Sequence, residues 1–206
     1  MQIYRMVVGI VETNCYIIAD EKTKQGAVID PGADGKLILY KLKELGLEVS
    51  YILLTHTHYD HIGAVAEVKR ATGAKIAVSM EDAAGLTEGR WNLSAFTGEP
   101  IEPSDADILL KDGDKLQLGE LIIQVLFTPG HTKGGVCFLV GDDLFSGDTL
   151  FDLEVGRCDL PGGNLDTLVR SIKTKLMPLD DGVRVYPGHG TTTTIGRERA
   201  GNPYIR

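Results

Sequence analysis

The sequence predicts a mixed α/β protein with many short strands and few helices, for three reasons. Short apolar runs rich in β-branched and aromatic residues recur along the chain, separated by Gly, Pro and Asp turn residues. Helical spacing of apolar residues is confined to a few segments. The two halves of the chain also share one order: strands, a histidine-bearing loop, then further strands and a helix. The length of 206 residues suits a single domain over residues 1–206.

In the first half, strands are predicted where β-branched residues cluster, and helices where apolar residues recur every three or four positions. The predicted elements are strands 14–19, 25–30, 49–54 and 75–79, and helices 36–45 and 63–72. Residues 86–105 have no clear period and include Trp91, the only tryptophan. A segment of this length is either a functional lid or a surface excursion whose aromatic side chains pack on the core.

The second half begins with a run of short strands that turn residues such as 112–114 separate. The predicted strands are 108–111, 115–118, 121–127, 136–140, 143–145 and 183–186. Asn164 is the predicted N-cap of a helix that continues through Leu176. A short helix from Ile195 closes the chain.

Composition excludes several classes of protein. The formal net charge of −8 argues against a nucleic-acid-binding surface. No apolar stretch approaches the roughly 20 residues that cross a bilayer, and no secretory signal is recognisable, so we expect a cytoplasmic protein that binds no membrane. Three cysteines without paired spacing also predict a reducing compartment. Of these, Cys15 and Cys137 lie in apolar runs and are predicted core residues, whereas Cys158 lies in a Gly-rich loop.

All five histidines lie in motifs typical of metal ligands. His56, His58 and His61 fall within one hexapeptide that directly follows an apolar run, and His131 and His189 each follow Pro-Gly. In an extended backbone, side chains two residues apart point the same way, so His56 and His58 can bind one ion. The sequence therefore predicts a metalloprotein.

The number of ligands favours two ions. Asp60 and His61 lie beyond a predicted bend, so their side chains point to a neighbouring position. Four potential ligands in six residues are more than one ion can use if it also keeps a coordination position open for water. Two adjacent cations repel, so a bridging carboxylate is expected. Asp148 follows a strand and supplies it, while His131 and His189 complete the two sets.

In order and spacing, these residues resemble the metallo-β-lactamase superfamily over nearly the whole chain. The resemblance implies a four-layer αβ/βα sandwich with the metals at one edge of the two sheets. By position it implies that His56, His58 and His131 bind the first metal and that Asp60, His61 and His189 bind the second, with Asp148 between them. Two divalent ions per chain are expected; zinc is the first choice, and iron and manganese are alternatives.

Within the superfamily, residues 146–151 and 155–163 resemble the short glyoxalase II-like hydrolases. The resemblance implies that a small-molecule thioester such as S-lactoylglutathione is cleaved by a hydroxide that the two metals activate. Full-length glyoxalase II has a C-terminal helical domain that helps bind glutathione, whereas 17 residues follow His189 here. The resemblance therefore leaves open whether glutathione is the thiol of the substrate. The main alternative is a persulfide dioxygenase, which binds one iron through residues matching His56, His131 and Asp148. A third is an inactive or purely binding member.

Four further residues have expected roles at the site. Asp60 is expected to orient the hydroxide in addition to binding the second metal. Lys133 either meets an anionic group of the substrate or is a solvated surface lysine. Arg157 either binds a substrate carboxylate or forms a structural salt bridge with a nearby acidic residue. Tyr59 either lines the pocket or braces the loop between the ligands.

Overall fold

The computed structural model describes residues 1–98 and 100–205 and contains two six-stranded sheets. The strands are β1 (Gln2–Val8), β2 (Thr13–Ala19), β3 (Gln25–Ile29), β4 (Glu48–Leu53), β5 (Lys75–Ser79), β6 (Ile108–Leu110), β7 (Lys115–Leu118), β8 (Leu121–Phe127), β9 (Val136–Val140), β10 (Asp143–Gly147), β11 (Arg184–Pro187) and β12 (Thr193–Thr194). The first sheet has the order β1-β2-β3-β4-β5-β6 and the second β12-β11-β10-β9-β8-β7. Each sheet is therefore built from one half of the chain.

The four longest helices lie on the outer faces of the two sheets, and two short ones lie at the edge that carries the histidines. The helices are α1 (Gly35–Leu45), α2 (Tyr59–Ile62), α3 (Val65–Thr72), α4 (Ser94–Thr97), α5 (Leu165–Ser171) and α6 (Ile195–Gly201). A 3-10 turn covers Ala83–Leu86, and a π-helical turn, Ile172–Leu176, continues α5. Helices α1 and α3 pack on the first sheet, and α5, the π-helical turn and α6 pack on the second.

Alternation along the strands produces three apolar layers. In β2, Cys15 and Ile17 face α1 and α3, whereas Tyr16 and Ile18 face the second sheet. Cys137 in β9 belongs to the layer under α5. Because successive strand residues point to opposite faces, a strand covered on both sides is apolar throughout. The predicted four-layer αβ/βα sandwich is confirmed.

Strand direction places the carboxyl ends of several strands at one edge. β3, β4 and β5 run parallel, and β10 runs parallel to β11. β9 is antiparallel to both β8 and β10, so those two strands also point the same way. Backbone hydrogen bonds tie the sheets together at this edge, from Val136 N to Thr55 O (2.8 Å) and from Asn14 N to Gly188 O (2.7 Å).

Most predicted elements are confirmed, and the exceptions have physical reasons. The predicted helix 63–72 begins at Val65, because a separate short helix, α2, precedes it. Strand β1 was missed because it is an edge strand of mixed polarity, with few fully buried residues. Residues 86–105 are largely irregular, as predicted, although α4 lies within them and Glu99 is outside the described residues. Among the described residues, every helix falls short of the length and apolar character needed to cross a membrane.

Candidate metal centre

The histidine hexapeptide follows β4 at the edge where the carboxyl ends of strands from both sheets meet. His58 has an extended backbone, with φ −65° and ψ 149°, and α2 begins at the next residue. This change from extended chain to helix directs Asp60 and His61 to a different point from His56 and His58. The predicted bend is confirmed.

Three buried histidines form the first ligand group, which we call the first site: His56, His58 and His131. His131 lies in the loop after β8, and its Nε2 is 3.0 Å from His58 Nδ1 and 3.3 Å from His56 Nε2. Each of the three residues is at most 4% exposed. Two segments that are far apart in sequence thus present three nitrogens to one point.

The second ligand group, the second site, consists of Asp60, His61 and His189. His189 follows β11, and its Nε2 lies 3.2 Å from Asp60 Oδ2 and 3.4 Å from His61 Nε2. Asp60 Oδ2 also accepts a hydrogen bond from Thr13 Oγ1 at 3.2 Å. The second site, like the first, draws ligands from both sheets.

Asp148 lies between the two sites, as its position after β10 predicts. Its Oδ1 is 3.4 Å from His61 Nε2, and its Oδ2 is 3.6 Å from His131 Nε2 and 3.7 Å from His189 Nε2. Oδ1 thus faces the second site, and Oδ2 lies between the first and the second. The structure brings all seven predicted metal ligands together.

Outer hydrogen bonds decide which ring nitrogen of each histidine is free to bind a metal. His131 Nδ1 is 2.7 Å from the carbonyl oxygen of Arg157, which can only accept, so Nδ1 carries the proton. His61 Nδ1 lies 3.0 Å from Asp30 Oδ2 and donates to that carboxylate. In both rings the proton on Nδ1 leaves Nε2 to face the ligand group.

His56 is oriented through a relay of two hydrogen bonds. The Thr55 hydroxyl donates its proton to Asp30 Oδ2 at 2.6 Å, so it can only accept from His56 Nδ1, which is 3.1 Å away. Asp30 Oδ1 accepts from Thr55 N at 2.8 Å. Asp30 therefore sets the proton positions of one histidine in each site.

The second site concentrates negative charge around its histidines. Burial alone would lower the pKa of His61, but the charges of Asp60 and Asp148 raise that pKa well above its ordinary value. Burial would also lower the pKa of His189, but the hydrogen bond to Asp60 and the charges of Asp148 and Asp60 together raise it. Burial would raise the pKa of Asp148, yet His61, together with the charges of His131 and His189, lowers it to about 2. This environment favours positive charge, and a metal cation can replace the protons on the two rings.

In the first site, the two histidines of the hexapeptide are instead neutral. Burial, and then the neighbouring imidazoles, lower the pKa of His58 to about 3 and that of His56 well below its usual value. Uncharged imidazole nitrogens are the form that binds a metal.

The residues fit a pair of metal ions. The three ring nitrogens of the first site face one another at 3.0 and 3.3 Å, and a cation between them would relieve the repulsion of their lone pairs. Asp148 Oδ1 is buried and, apart from the 3.4 Å ion pair with His61 Nε2, has no hydrogen-bond partner within the part of the chain described. Buried polar atoms normally have a partner. An ion between Asp148 and the histidines would satisfy it.

A cavity of about 790 Å³ opens over both ligand groups. Its floor includes the cavity-facing ligands His58, Asp60, His131, Asp148 and His189. Its walls are largely apolar and comprise Val11, Leu93, Phe96, Phe151, Val155, Leu160 and Pro161, with Tyr59, Thr97, Glu154 and Arg157. Leu93 and Phe96 come from the segment 86–105, which therefore forms part of the cavity wall. The volume suits a small-molecule substrate.

The three predicted substrate-binding residues lie in different places. Tyr59 lines the cavity next to Asp60. Arg157 also lines it, and its guanidinium donates two hydrogen bonds of 2.8 Å to Asp159. Lys133 borders a neighbouring cavity of about 220 Å³, and its ammonium lies 4.8 Å from the centre of the Trp91 ring.

Three functional residues were not predicted from the sequence: Asp30, Thr55 and Thr13. Asp30 directly precedes Pro31-Gly32, a pattern that reads as a simple turn. Only the structure shows that Asp30 is buried, with the residue 1% exposed, and that its φ is 50°. A non-glycine residue with this backbone conformation at a ligand group indicates a functional constraint.

A family model described as the metallo-β-lactamase superfamily matches residues 8–189. The hydroxyacylglutathione hydrolase GloC of Haemophilus influenzae is 36% identical, and the match covers 100% of this chain and 98% of that protein. Among solved structures, the B3 metallo-β-lactamase BLEG-1 is 36% identical with a TM-score of 0.94, covering 99% of both chains. TTHA1623 in a di-iron-bound form is 35% identical with a TM-score of 0.88, covering 98% of this chain and 99% of that one.

Proposed function

The chain belongs to the metallo-β-lactamase superfamily, and we propose that it is a metal-dependent hydrolase of the glyoxalase II-like kind. Its proposed substrate is a hydroxyacyl thioester such as S-lactoylglutathione. The observation that carries the proposal is the convergence of two ligand groups and Asp148 on the floor of one cavity. The name of the GloC relative supports a thioester as the substrate.

Seven side chains would bind the metals. His56, His58 and His131 would bind the first ion, and Asp60, His61 and His189 the second, with Asp148 between them. Two divalent ions, with zinc expected and iron or manganese as alternatives, would supply a water activated near neutral pH and Lewis acidity towards the carbonyl.

The side chains of the cavity position the reactants. Asp60 lines the cavity and can accept a hydrogen bond from the attacking water, while the Thr13 hydroxyl holds its Oδ2 at 3.2 Å. The apolar wall that includes Leu93 and Phe151 limits the access of other water molecules. In the overall reaction, the water's oxygen joins the acyl carbon, the C–S bond breaks and a proton passes to the thiol sulfur. The products are a hydroxy acid such as lactate and a free thiol.

Three side chains are proposed to contact the rest of the substrate. Tyr59 borders the reacting centre. Arg157 can offer its guanidinium to a carboxylate at the cavity mouth, in exchange for Asp159. Lys133 and Pro161 both line the neighbouring cavity. Lys133 can therefore contact only a part of the substrate that extends past Pro161 into that cavity.

One observation favours a second candidate, a persulfide dioxygenase with one iron. His131 Nε2 is 3.3 Å from His56 Nε2 and 3.6 Å from Asp148 Oδ2. Two histidines and one carboxylate on one face with open positions are typical of non-haem iron oxygenases. The second site, with Asp60 and His189 3.2 Å apart, favours the two-metal hydrolase.

Metal analysis of protein purified without chelator, combined with three activity assays, tests the proposal. Two metals per chain and hydrolysis of S-lactoylglutathione would support it. One iron and oxygen uptake with glutathione persulfide would support the dioxygenase instead. Preferred hydrolysis of a β-lactam would contradict both. Asp60→Asn should cripple a two-metal hydrolase by weakening the second site and should affect a one-iron dioxygenase far less.

A further inference from the structure

Asp82 is a buried carboxylate that contacts neither ligand group directly. It follows strand β5 and directly precedes the 3-10 turn Ala83–Leu86, and it is 7% exposed. Burial raises the pKa of its carboxyl group above the ordinary value. A charged or polar side chain in such a place costs stability unless its hydrogen bonds are satisfied, so its partners show what it does.

The Asp82 side chain binds the loop that carries His131. One carboxylate oxygen accepts from the Thr132 hydroxyl at 2.6 Å, and the other accepts from Gly134 N at 2.7 Å. Thr132 is the residue next to His131. A side chain on Gly134 would approach Ser79 Oγ to 2.2 Å and Asp82 N to 2.6 Å, so this loop packs tightly against the end of β5.

The backbone of Asp82 binds the other loop of the first site. Its carbonyl oxygen accepts from the Thr57 hydroxyl at 2.9 Å, and Thr57 stands between His56 and His58. The 3-10 turn also packs closely against Thr57, since a side chain on Gly85 would lie 2.0 Å from Thr57 Oγ1. One residue therefore connects the two loops whose histidines must meet within about 3 Å.

We propose that Asp82 is a positioning residue of the first metal site, which fixes the His131 loop to the His56–His58 loop through Thr132, Gly134 and Thr57. The inference rests on the proposed function only in that His56, His58 and His131 bind a metal. Asp82 acts through geometry, because a small displacement of either loop changes the distances from His131 Nε2 to His56 Nε2 and His58 Nδ1. Outer partners of metal ligands commonly change metal affinity by 10–100-fold.

The test measures Co²⁺ binding by equilibrium dialysis, together with the visible absorption spectrum of the bound Co²⁺. It compares the full chain with Asp82→Ala and Thr132→Val, and repeats each in a His189→Ala background, where only the first site is complete. Asp143→Ala is the matched control, because Asp143 is also a buried aspartate, 6% exposed, but lies at the end of β10 away from Asp148. Circular dichroism confirms that each variant is folded.

We expect Asp82→Ala to weaken Co²⁺ binding at the first site by about tenfold or more and to alter the Co²⁺ spectrum. Thr132→Val should reproduce part of the loss. A variant that carries both Asp82→Ala and Thr132→Val should be no worse than Asp82→Ala alone, because the Thr132 hydroxyl acts through its hydrogen bond to Asp82. If Asp82→Ala does not fold, Thr132→Val alone decides.

Two results would overturn the inference. One is a first-site affinity and spectrum equal to those of the Asp143→Ala control. The other is an equal loss at both sites, which would mean that Asp82 supports only the fold as a whole. Because these measurements follow metal binding, a failure to hydrolyse thioesters would count against the proposed function and leave this inference standing.

Discussion

Replacing Asp30 by asparagine should weaken metal binding at both sites, although Asp30 is not a predicted ligand. The carboxylate accepts three hydrogen bonds: from Thr55 N at 2.8 Å, the Thr55 hydroxyl at 2.6 Å and His61 Nδ1 at 3.0 Å. If the amide oxygen keeps the bond to Thr55 N, the amide NH₂ faces two groups that are themselves donors.

The relaxed structure must reverse both of those hydrogen bonds. His61 would accept at Nδ1 and carry its proton on Nε2, the atom that faces the second site. The Thr55 hydroxyl would accept from Asn and donate to His56 Nδ1, so His56 Nε2 would carry the proton in the first site. A protonated nitrogen has no lone pair to bind a metal. Lost outer contacts of this kind cost 10–100-fold in affinity, or about 1.4–2.7 kcal/mol per site.

Competition of a chelating dye for Zn²⁺ at constant pH measures this loss. Asp143→Asn is the matched control, because it changes a buried aspartate that pairs with Arg184 and not with a histidine. Long-range ¹H–¹⁵N spectra of the zinc-free and zinc-bound protein report which ring nitrogen carries each proton. A folded Asp30→Asn protein whose Zn²⁺ affinities lie within about twofold of wild type would refute the reasoning.

Three further outcomes are expected. Gly188→Ala should reduce the metal content, because the new methyl group would lie 2.2 Å from Asp148 Oδ1; Gly182→Ala, with nothing within 4 Å, should not. Asn164→Ala should lower the free energy of unfolding in urea by about 1 kcal/mol, since the cap bond to Thr167 N is lost; an unchanged midpoint would contradict this. A hydrogen bond from Lys69 lowers the pKa of Asp107, so its stabilisation is present above the unfolded pKa of about 3.9 and is lost as pH falls through the folded pKa. Asp107→Ala should therefore lower the urea midpoint at pH 7, and the difference should shrink in acid.

The seven proposed metal ligands could be singled out from the sequence because their chemistry is local, and the structure brings them together. Imidazoles two residues apart, or one directly after Pro-Gly at a strand end, indicate metal binding without knowledge of the partner. The strands and helices were predicted from equally local patterns. A run of consecutive apolar residues, such as 15–19 in β2, indicates a strand that is covered on both faces. Resemblance then supplied the pairing of the halves, which no local pattern contains.

The outer contacts could not be predicted, because they depend on which strands become neighbours. Asp30 reaches His61 only because β3 pairs with β4 in a fixed register, with Asp30 N donating to Leu53 O. Lys133 is two residues from His131, yet its ammonium lies over Trp91 in the 86–105 segment. In each case the sequence gives the residue type, and the tertiary structure decides the contact.

Metal binding and the packing of the two sheets are coupled in this fold. Each site combines residues near β4 with residues that follow strands of the second sheet. Direct bonds already hold that edge closed, such as Tyr16 Oη to Pro187 O at 2.7 Å and Asn14 Nδ2 to the same oxygen at 2.9 Å. These bonds hold the ligand-bearing loops of both halves in place, so little ordering of the chain should oppose metal binding. Separating the sheets would break both ligand groups at once, so the metals should stabilise the interface between the two halves of the chain.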